Sequence, residues 1–304
     1  MQVIAHLSVA IATYNRLDDL IHCVEELLNG PVIPAEVIII DQSDDDNNHL
    51  IQKQFVKSII PLKYVHQEQR GLSVSRNTAI NLAGYPFIAF TDDDCVPDKN
   101  WVEAISKSFL LMPIPDIVCG RVIPYGPKIE GKYAISTRDR LQRSDYQGRT
   151  VPWCIGTGGN CAIRTDLFTR IGVFNEQLGA GSPGKAAEDV EFIYRSLIQG
   201  VQIRYEPEAV IYHKWQNRER RFRSRWEYGH GIGAFIGIRL RKLDFYIIYI
   251  LLNWIVSRLV EFGKYLVTGN WTEVQQRLLN LSGTCSGLSY GLSFKPDQRE
   301  KKCL

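Results

Sequence analysis

Three successive carboxylates, Asp92-Asp93-Asp94, follow directly on an apolar run, Phe87–Thr91 (FIAFT), and precede Cys95-Val96-Pro97-Asp98. Adjacent carboxylates repel one another, so a fold keeps them together only with compensation, most simply by a cation. A hard ion such as Mg²⁺ or Mn²⁺ takes one or two carboxylates and fills its other positions with phosphate oxygens and water. There it would neutralise charge building on a departing diphosphate. The plainer alternative is a solvated loop whose aspartates cap the next helix. Gly71–Asn77 (GLSVSRN) opens the helical stretch before that run. Its backbone N–H groups and the Arg76 guanidinium could hold a phosphate or ribose, or it is an ordinary helix start. Glu188-Asp189 begins a later helix, just after the glycine-rich Gly179–Gly184. A carboxylate suits the positive end of that helix dipole and could accept a proton, with the glycines as a mobile lid. Acidic residues in a first helical turn are also simply stabilising. His213 closes the strand-like EAVIYH, as a metal ligand or a surface imidazole. Gly158-Gly159-Asn160 either lets a substrate approach the backbone or makes a turn.

These groups need elements to position them. Residues 7–14 (LSVAIATY) read as a buried strand, and Leu17, Leu20, Ile21, Val24, Leu27 and Leu28 recur at helical spacing until Gly30-Pro31. A strand at 36–41, a weaker helix around 47–57, a strand at 62–66, a helix over 72–83 and the strand Phe87–Thr91 follow. Four alternations in about 90 residues predict an open, largely parallel sheet with helices on both faces. Ligands bind such sheets at the carboxyl ends of the strands. Thr13-Tyr14-Asn15, Asp41-Gln42-Ser43 and the aspartate triplet all fall there. A helix from Asp98 to about Leu111 and a strand over Ile117–Val122 come next. Residues 123–160 show no clean period, and order returns with a helix at Glu188–Gln199.

Composition sets the outer limits. The 304 residues, 45% hydrophobic and 23% charged, are long enough for a sizeable core. A formal charge of +3 gives no argument for nucleic acid. Seven scattered cysteines without a CxxC pair predict reduced thiols and a cytosolic setting. No basic leader with a cleavage site is evident, so no signal peptide is expected.

Four segments, in this order, carry a resemblance: LSVAIATYNR, EVIIIDQSDDD, RGLSVSRNTAI with FIAFTDDDCVPDKNW, and GTGGNCAIR with AAEDVEFIYR and YEPEAVIYH. Over roughly residues 7–215 the chain resembles the inverting glycosyltransferases of family 2, with the GT-A fold. The resemblance implies an α/β architecture: an open mixed, mostly parallel sheet flanked by helices, with a Rossmann-like nucleotide-binding half and a helical C-terminal segment. It implies a catalytic domain over 1–216, divided into a nucleotide-sugar half (1–122) and an acceptor half (123–216), followed by a basic and apolar segment at 217–304. The implied reaction is hexosyl transfer from a nucleotide-diphosphate sugar to a glycan or lipid-linked acceptor of the cell envelope, assisted by Mn²⁺ or Mg²⁺. Asp92, Asp94 and His213 inherit metal roles, with Asp94 the direct ligand and Asp92 a ribose or water-mediated contact. Thr13, Tyr14, Asn15, Asp41, Gln42, Arg76, Asn77, Asp92 and Asp93 line the donor site. Asp189, beside Glu188, inherits the general base. Family members commonly carry a second acid where this chain has Gln42, which leaves UDP, TDP and GDP sugars all open. The rivals are a sugar nucleotidyltransferase, whose GxGTR-like loop is missing from Ala12–Arg16, and a non-catalytic binding module.

Past Lys214 the chain changes character. Arg218, Arg220, Arg221, Arg223 and Arg225, then Arg239, Arg241 and Lys242, bracket a stretch rich in glycine and aromatics that reads as a linker. Phe245–Val256 is then almost wholly apolar. Twelve residues rise only about 18 Å as a helix, short of a ~30 Å hydrocarbon core. The expectation is therefore a peripheral anchor on the cytoplasmic face of a membrane, the alternative being a helical subdomain packed on protein.

Overall fold

The computed structural model describes residues 2–293. The chain up to Glu176, together with Asp189–Arg218, forms one compact unit; Gln177–Glu188, together with the described residues from Glu219, forms the other.

The first unit opens with the alternation its sequence predicts: β1 (Val3–Thr13), α1 (Leu17–Leu28), β2 (Val32–Asp41), α2 (Asn48–Gln54), β3 (Leu62–His66), α3 (Leu72–Leu82) and β4 (Phe87–Asp92). It continues with β5 (Cys95–Pro97), α4 (Trp101–Ser108), β6 (Ile117–Pro124), β7 (Ser144–Tyr146), β8 (Asn160–Arg164), α5 (Leu167–Ile171), α6 (Glu188–Ile198) and β9 (Ile203–His213). All the strands join one sheet in the order β3-β2-β1-β4-β8-β6-β9-β5, with β7 on β9. The β3-β2-β1-β4 half is parallel, β8 enters antiparallel between β4 and β6, and β9 runs parallel to β6. The sheet is therefore mixed. β1 and β2 start earlier than their apolar runs because Val3↔Val32 and Ile4↔Ile33 extend the ladder past an irregularity between Ala5 and Ser8.

Both faces are covered, which is why these strands read as continuous apolar runs rather than alternating ones. Leu7, Val9, Ile11, Val37 and Ile39 point to one side, against Leu20, Val24 and Leu27 of α1 and Trp101 and Ile105 of α4. Ala10, Ile38, Ile40, Ile88 and Phe90 point to the other, with Ala79 of α3 and Phe192, Ile193 and Leu197 of α6. This core holds the carboxyl ends of β1, β2 and β4 in fixed register: Thr13 pairs with Asp41, and Ala12 with Asp92.

The second unit corrects the linker expectation. Residues 218–241 form one helix, α7 (Arg218–Arg241), followed by α8 (Tyr246–Val267) and α9 (Trp271–Ser293). Glycine is a poor helix former, yet here it recurs every fourth residue on both α7 (Gly229, Gly233, Gly237) and α9 (Gly283, Gly287, Gly291). The two backbones touch along these stripes. A Cβ on Gly287 would sit 1.8 Å from the His230 carbonyl oxygen, and one on Gly233 2.1 Å from that of Thr284. Close packing thus compensates for low propensity. Gly287→Ala is expected to lower stability by about 1–3 kcal/mol through overpacking. Gly263→Ala, whose added Cβ meets nothing within 4 Å, should gain about 0.5–1 kcal/mol in helix propensity. Thermal melts of the two variants should move in opposite directions; a neutral Gly287→Ala would contradict the packing.

The glycine-rich segment read as a mobile lid also belongs to this unit. A Cβ on Gly231 would lie 2.6 Å from the Ala186 carbonyl, and Tyr290 Oη donates to Gln177 Oε1 at 3.2 Å. Residues 177–188 are docked on α7 and α9, and the chain leaves them directly into Asp189.

Candidate active site

The aspartate triplet ends β4 and is braced from β1. Thr13 Oγ1 donates to Asp93 Oδ2 at 2.8 Å, and Arg16 Nη1 donates to Asp93 Oδ1 at 2.9 Å and Asp94 Oδ2 at 3.0 Å. Both Asp93 oxygens are thereby engaged within the protein, which gives this residue a bracing role at the end of β4. Burial, reinforced by the charges of Asp94 and Asp92, pushes its carboxyl up to about 6 against the pull of Arg16 and Thr13. Arg16 is the compensating charge that the triplet demanded. Its type and position, three residues past the β1 end, were the available signal.

Asp94 faces β9. Its Oδ1 lies 3.5 Å from His213 Nε2, and the ligand atoms of Asp94, Cys95 and His213 lie within 4.8 Å of one another. A backbone carbonyl only accepts, so the 3.0 Å contact between His213 Nδ1 and the Lys214 oxygen requires Nδ1 to carry a proton. With Nδ1 so engaged, Nε2 is the ring nitrogen that faces Asp94, the orientation that a metal ligand needs. The carboxylate oxygen suits Mn²⁺ or Mg²⁺, and the imidazole nitrogen favours Mn²⁺ of the two; the thiol suits them less, and burial pushes the Cys95 thiol well above its ordinary range. The residues fit a divalent cation held by Asp94 and His213. Asp92 stands apart from this trio. Its Oδ1 is 3.6 Å from Arg76 Nη2, and its Oδ2 lies where a Cβ on Gly159 would come within 2.3 Å. Burial raises the Asp92 carboxyl; Arg76 and His213 oppose that rise, while Asp94 and Asp189 add to it.

Arg76 is 4% exposed and lies over the Phe174 and Phe90 rings, 5.5 and 5.9 Å from their centroids. A Cβ on Gly158 would fall 2.7 Å from Arg76 Nη1 and 2.9 Å from Asp189 Cβ. The two glycines therefore serve the packing of Arg76, Asp92 and Asp189 side by side. Asp189 Oδ2 accepts from Gly158 N at 2.7 Å and Oδ1 from Val190 N at 2.8 Å. Two backbone donors fix this carboxylate at the start of α6. Glu188 is buried and falls in the other compact unit. Asn160, next to the glycines, is a buried hub: it accepts from Trp101 Nε1 at 2.9 Å and donates to the Arg121 and Ala209 carbonyls at 2.8 Å.

At the end of β2 the structure redistributes the expected donor contacts. Asp41 is spent on its own loop and on β3, accepting from Ser43 N at 2.8 Å, Tyr64 Oη of β3 at 2.7 Å and Asn47 Nδ2 at 3.1 Å. Gln42 Nε2 donates to the Gln69 and Gly71 carbonyls at 2.7 and 3.3 Å, and Gln42 Oε1 accepts from Gly71 N at 3.0 Å. Gly71, at φ 132°, needs this clip to enter α3. Asn77 is likewise engaged, with the Phe174 backbone and Glu176 Oε1 at 3.0 Å. The residue expected to read a base is thus a backbone clamp. Gln42→Asp would set a carboxylate against two carbonyl oxygens. It should cost about 1–3 kcal/mol of stability, with the ranking of donor nucleotides unchanged. A shifted ranking at unchanged stability would return Gln42 to base recognition.

Tyr14 differs: it is 44% exposed, with the Arg70 guanidinium 4.6 Å above its ring. Arg70 pairs with Asp44, which exchanges hydrogen bonds with Asn15 at 2.7 and 3.0 Å. An open aromatic face beside a cation is a stacking platform for a planar ring.

The sequence profile described as Glycosyl transferase family 2 matches residues 8–172, more than half of the chain. The Escherichia coli chondroitin synthase is 26% identical over 247 residues, covering 70% of this chain and 35% of that protein. Glycosyltransferase AglE of Haloferax volcanii is 25% identical over 213 residues, covering 68% of this chain and 66% of that one. This chain thus spans about a third of the synthase's length. Among solved structures, the mannosyltransferase PcManGT of Pyrobaculum calidifontis, in complex with GDP-Man and Mn²⁺, superposes with a TM-score of 0.59 at 14% identity. That superposition covers 92% of this chain and 87% of that one and shows the shared GT-A fold.

Proposed function

The chain belongs to glycosyl transferase family 2, and from that premise we propose that it is an inverting, metal-assisted hexosyltransferase using a nucleotide-diphosphate sugar. The observation that carries this reading is the juxtaposition of Asp189, fixed by two backbone N–H groups, with Arg76 and Asp92 across Gly158 and Gly159. Asp189 accepts the proton of the acceptor hydroxyl as that oxygen forms its bond to the anomeric carbon. The bond from that carbon to the diphosphate breaks, and its electron pair leaves with the nucleotide. Arg76 and the α3 N-terminus offer positive charge and N–H groups to the diphosphate. Asp94 and His213 would hold Mn²⁺ or Mg²⁺, which would neutralise charge on the leaving diphosphate. Asp92 takes a ribose or water-mediated contact, and Tyr14 stacks on the base. Asp93, Thr13, Asp41, Gln42 and Asn77 act at one remove, holding these groups in place. The acceptor is a glycan or lipid-linked glycan hydroxyl.

Incubation with UDP-, TDP- and GDP-sugars and Mn²⁺ tests this reading. Release of nucleoside diphosphate from one donor class is expected. Release of sugar 1-phosphate would indicate nucleotidyl transfer instead, and nucleotide binding with no turnover of any donor would indicate a binding module.

A further inference from the structure

Among the described residues, α8 is the one helix long and apolar enough to cross a membrane, and only 17% of its apolar window is buried. Two of its charged residues face inward: Arg258 pairs with Glu261 at 3.2 Å, and Glu261 pairs with Arg277 of α9 at 2.6 Å. Ile247, Ile250 and Trp254 are buried on the same side, and Trp254 Nε1 donates to Thr284 Oγ1 of α9 at 3.0 Å. The opposite side is an unbroken apolar stripe. Ile248, Leu252, Val256, Leu259, Val260 and Leu266 are all exposed and, at about 100° per residue, fall within one ~120° sector. Exposed basic residues bracket it, Arg241 and Lys242 before the helix and Lys264 near its end.

We propose that this stripe lies in the surface of an anionic lipid bilayer, with α8 in the membrane plane and Arg241, Lys242 and Lys264 against the headgroups. A transverse helix is ruled out by the company it keeps. α8 is tied along its length to α9, whose outer side exposes Gln275, Ser282, Ser286 and Ser289, and hydrocarbon would strip those groups of water. A second copy of the chain is the poorer occupant. Pairing two stripes in either direction sets basic ends against basic ends, whereas anionic headgroups complement both ends. The extent of α8 also revises the sequence expectation: the helix runs on from Val256 to Val267 because Arg258 and Glu261 find partners on the α9 side.

The proposal does not depend on the catalytic assignments, and vesicle flotation of the full-length protein tests it. Wild-type protein should float with vesicles of phosphatidylcholine mixed with phosphatidylglycerol and partition far less onto phosphatidylcholine alone. Leu252→Glu/Val256→Glu, at two exposed positions, should abolish flotation while leaving the thermal midpoint and turnover of a soluble donor unchanged. Arg241→Gln/Lys242→Gln should weaken partition by about 30-fold, a factor of roughly five for each charge near an anionic surface. Wild-type protein that stays with the dense fraction would overturn the proposal, as would a Leu252→Glu/Val256→Glu variant that floats like wild type. A wild-type dimer that this double substitution splits, without vesicle binding, would overturn it in favour of self-association.

Discussion

Asp189→Asn is expected to lower transfer by about two to four orders of magnitude while leaving donor affinity within a few-fold of wild type, the scale of a lost general base. The substitution preserves shape and one acceptor oxygen. It also sets an NH₂ group against one of the two backbone donors, Gly158 N or Val190 N, that now hold the carboxylate. A binding measurement must therefore accompany the rate: an unchanged donor Kd with a collapsed kcat identifies lost proton transfer, and loss of both identifies a disturbed site. Glu188→Gln supplies the comparison. If it causes the larger loss and Asp189→Asn is mild, the base has been assigned to the wrong carboxylate.

The second large effect is expected at Asp94. Asp94→Ala removes the oxygen facing His213 Nε2 and one of the two carboxylates that Arg16 bridges. Metal-dependent donor binding should fall by about 10²- to 10³-fold, corresponding to the several kcal/mol that a metal contributes, and transfer should become undetectable. The core beneath β4 does not include this side chain, so the fold should persist, as circular dichroism can verify. Full activity of the wild-type protein in EDTA would remove the metal from the account. A wild-type rate in Asp94→Ala would remove the residue.

The elements from β1 to β4 are legible because most are simple apolar periods ended by a glycine, proline or acidic cluster, and the sheet buries both faces of β2 and of the later parts of β1 and β4. The later half is not. β8 is five residues long and enters antiparallel, and β5 and β7 are three residues each, too short for any period to show. α7 reads as a linker because its glycines signal a loop locally, while their value lies in the approach of α9, more than forty residues away. The site divides in the same way. Acidic triplets, a carboxylate at a helix start and a strand-end histidine announce chemistry by residue type. Gln42, Asp41 and Asn77 neighbour those groups in sequence yet spend their hydrogen bonds on backbone groups or on a β3 side chain that no linear spacing reveals. Arg16 is silent in the sequence for the converse reason: its partners lie 77 and 78 residues away.

The stereochemistry of the first product tests the central claim, a single displacement assisted by Asp189, most directly. With water as acceptor, hydrolysis of an α-linked donor can be followed by proton NMR before the released sugar mutarotates. The account predicts the β-anomer as the first sugar formed. Initial appearance of the α-anomer would contradict it, because retention requires two displacements or a front-face route that the placement of Asp189 as a base does not serve.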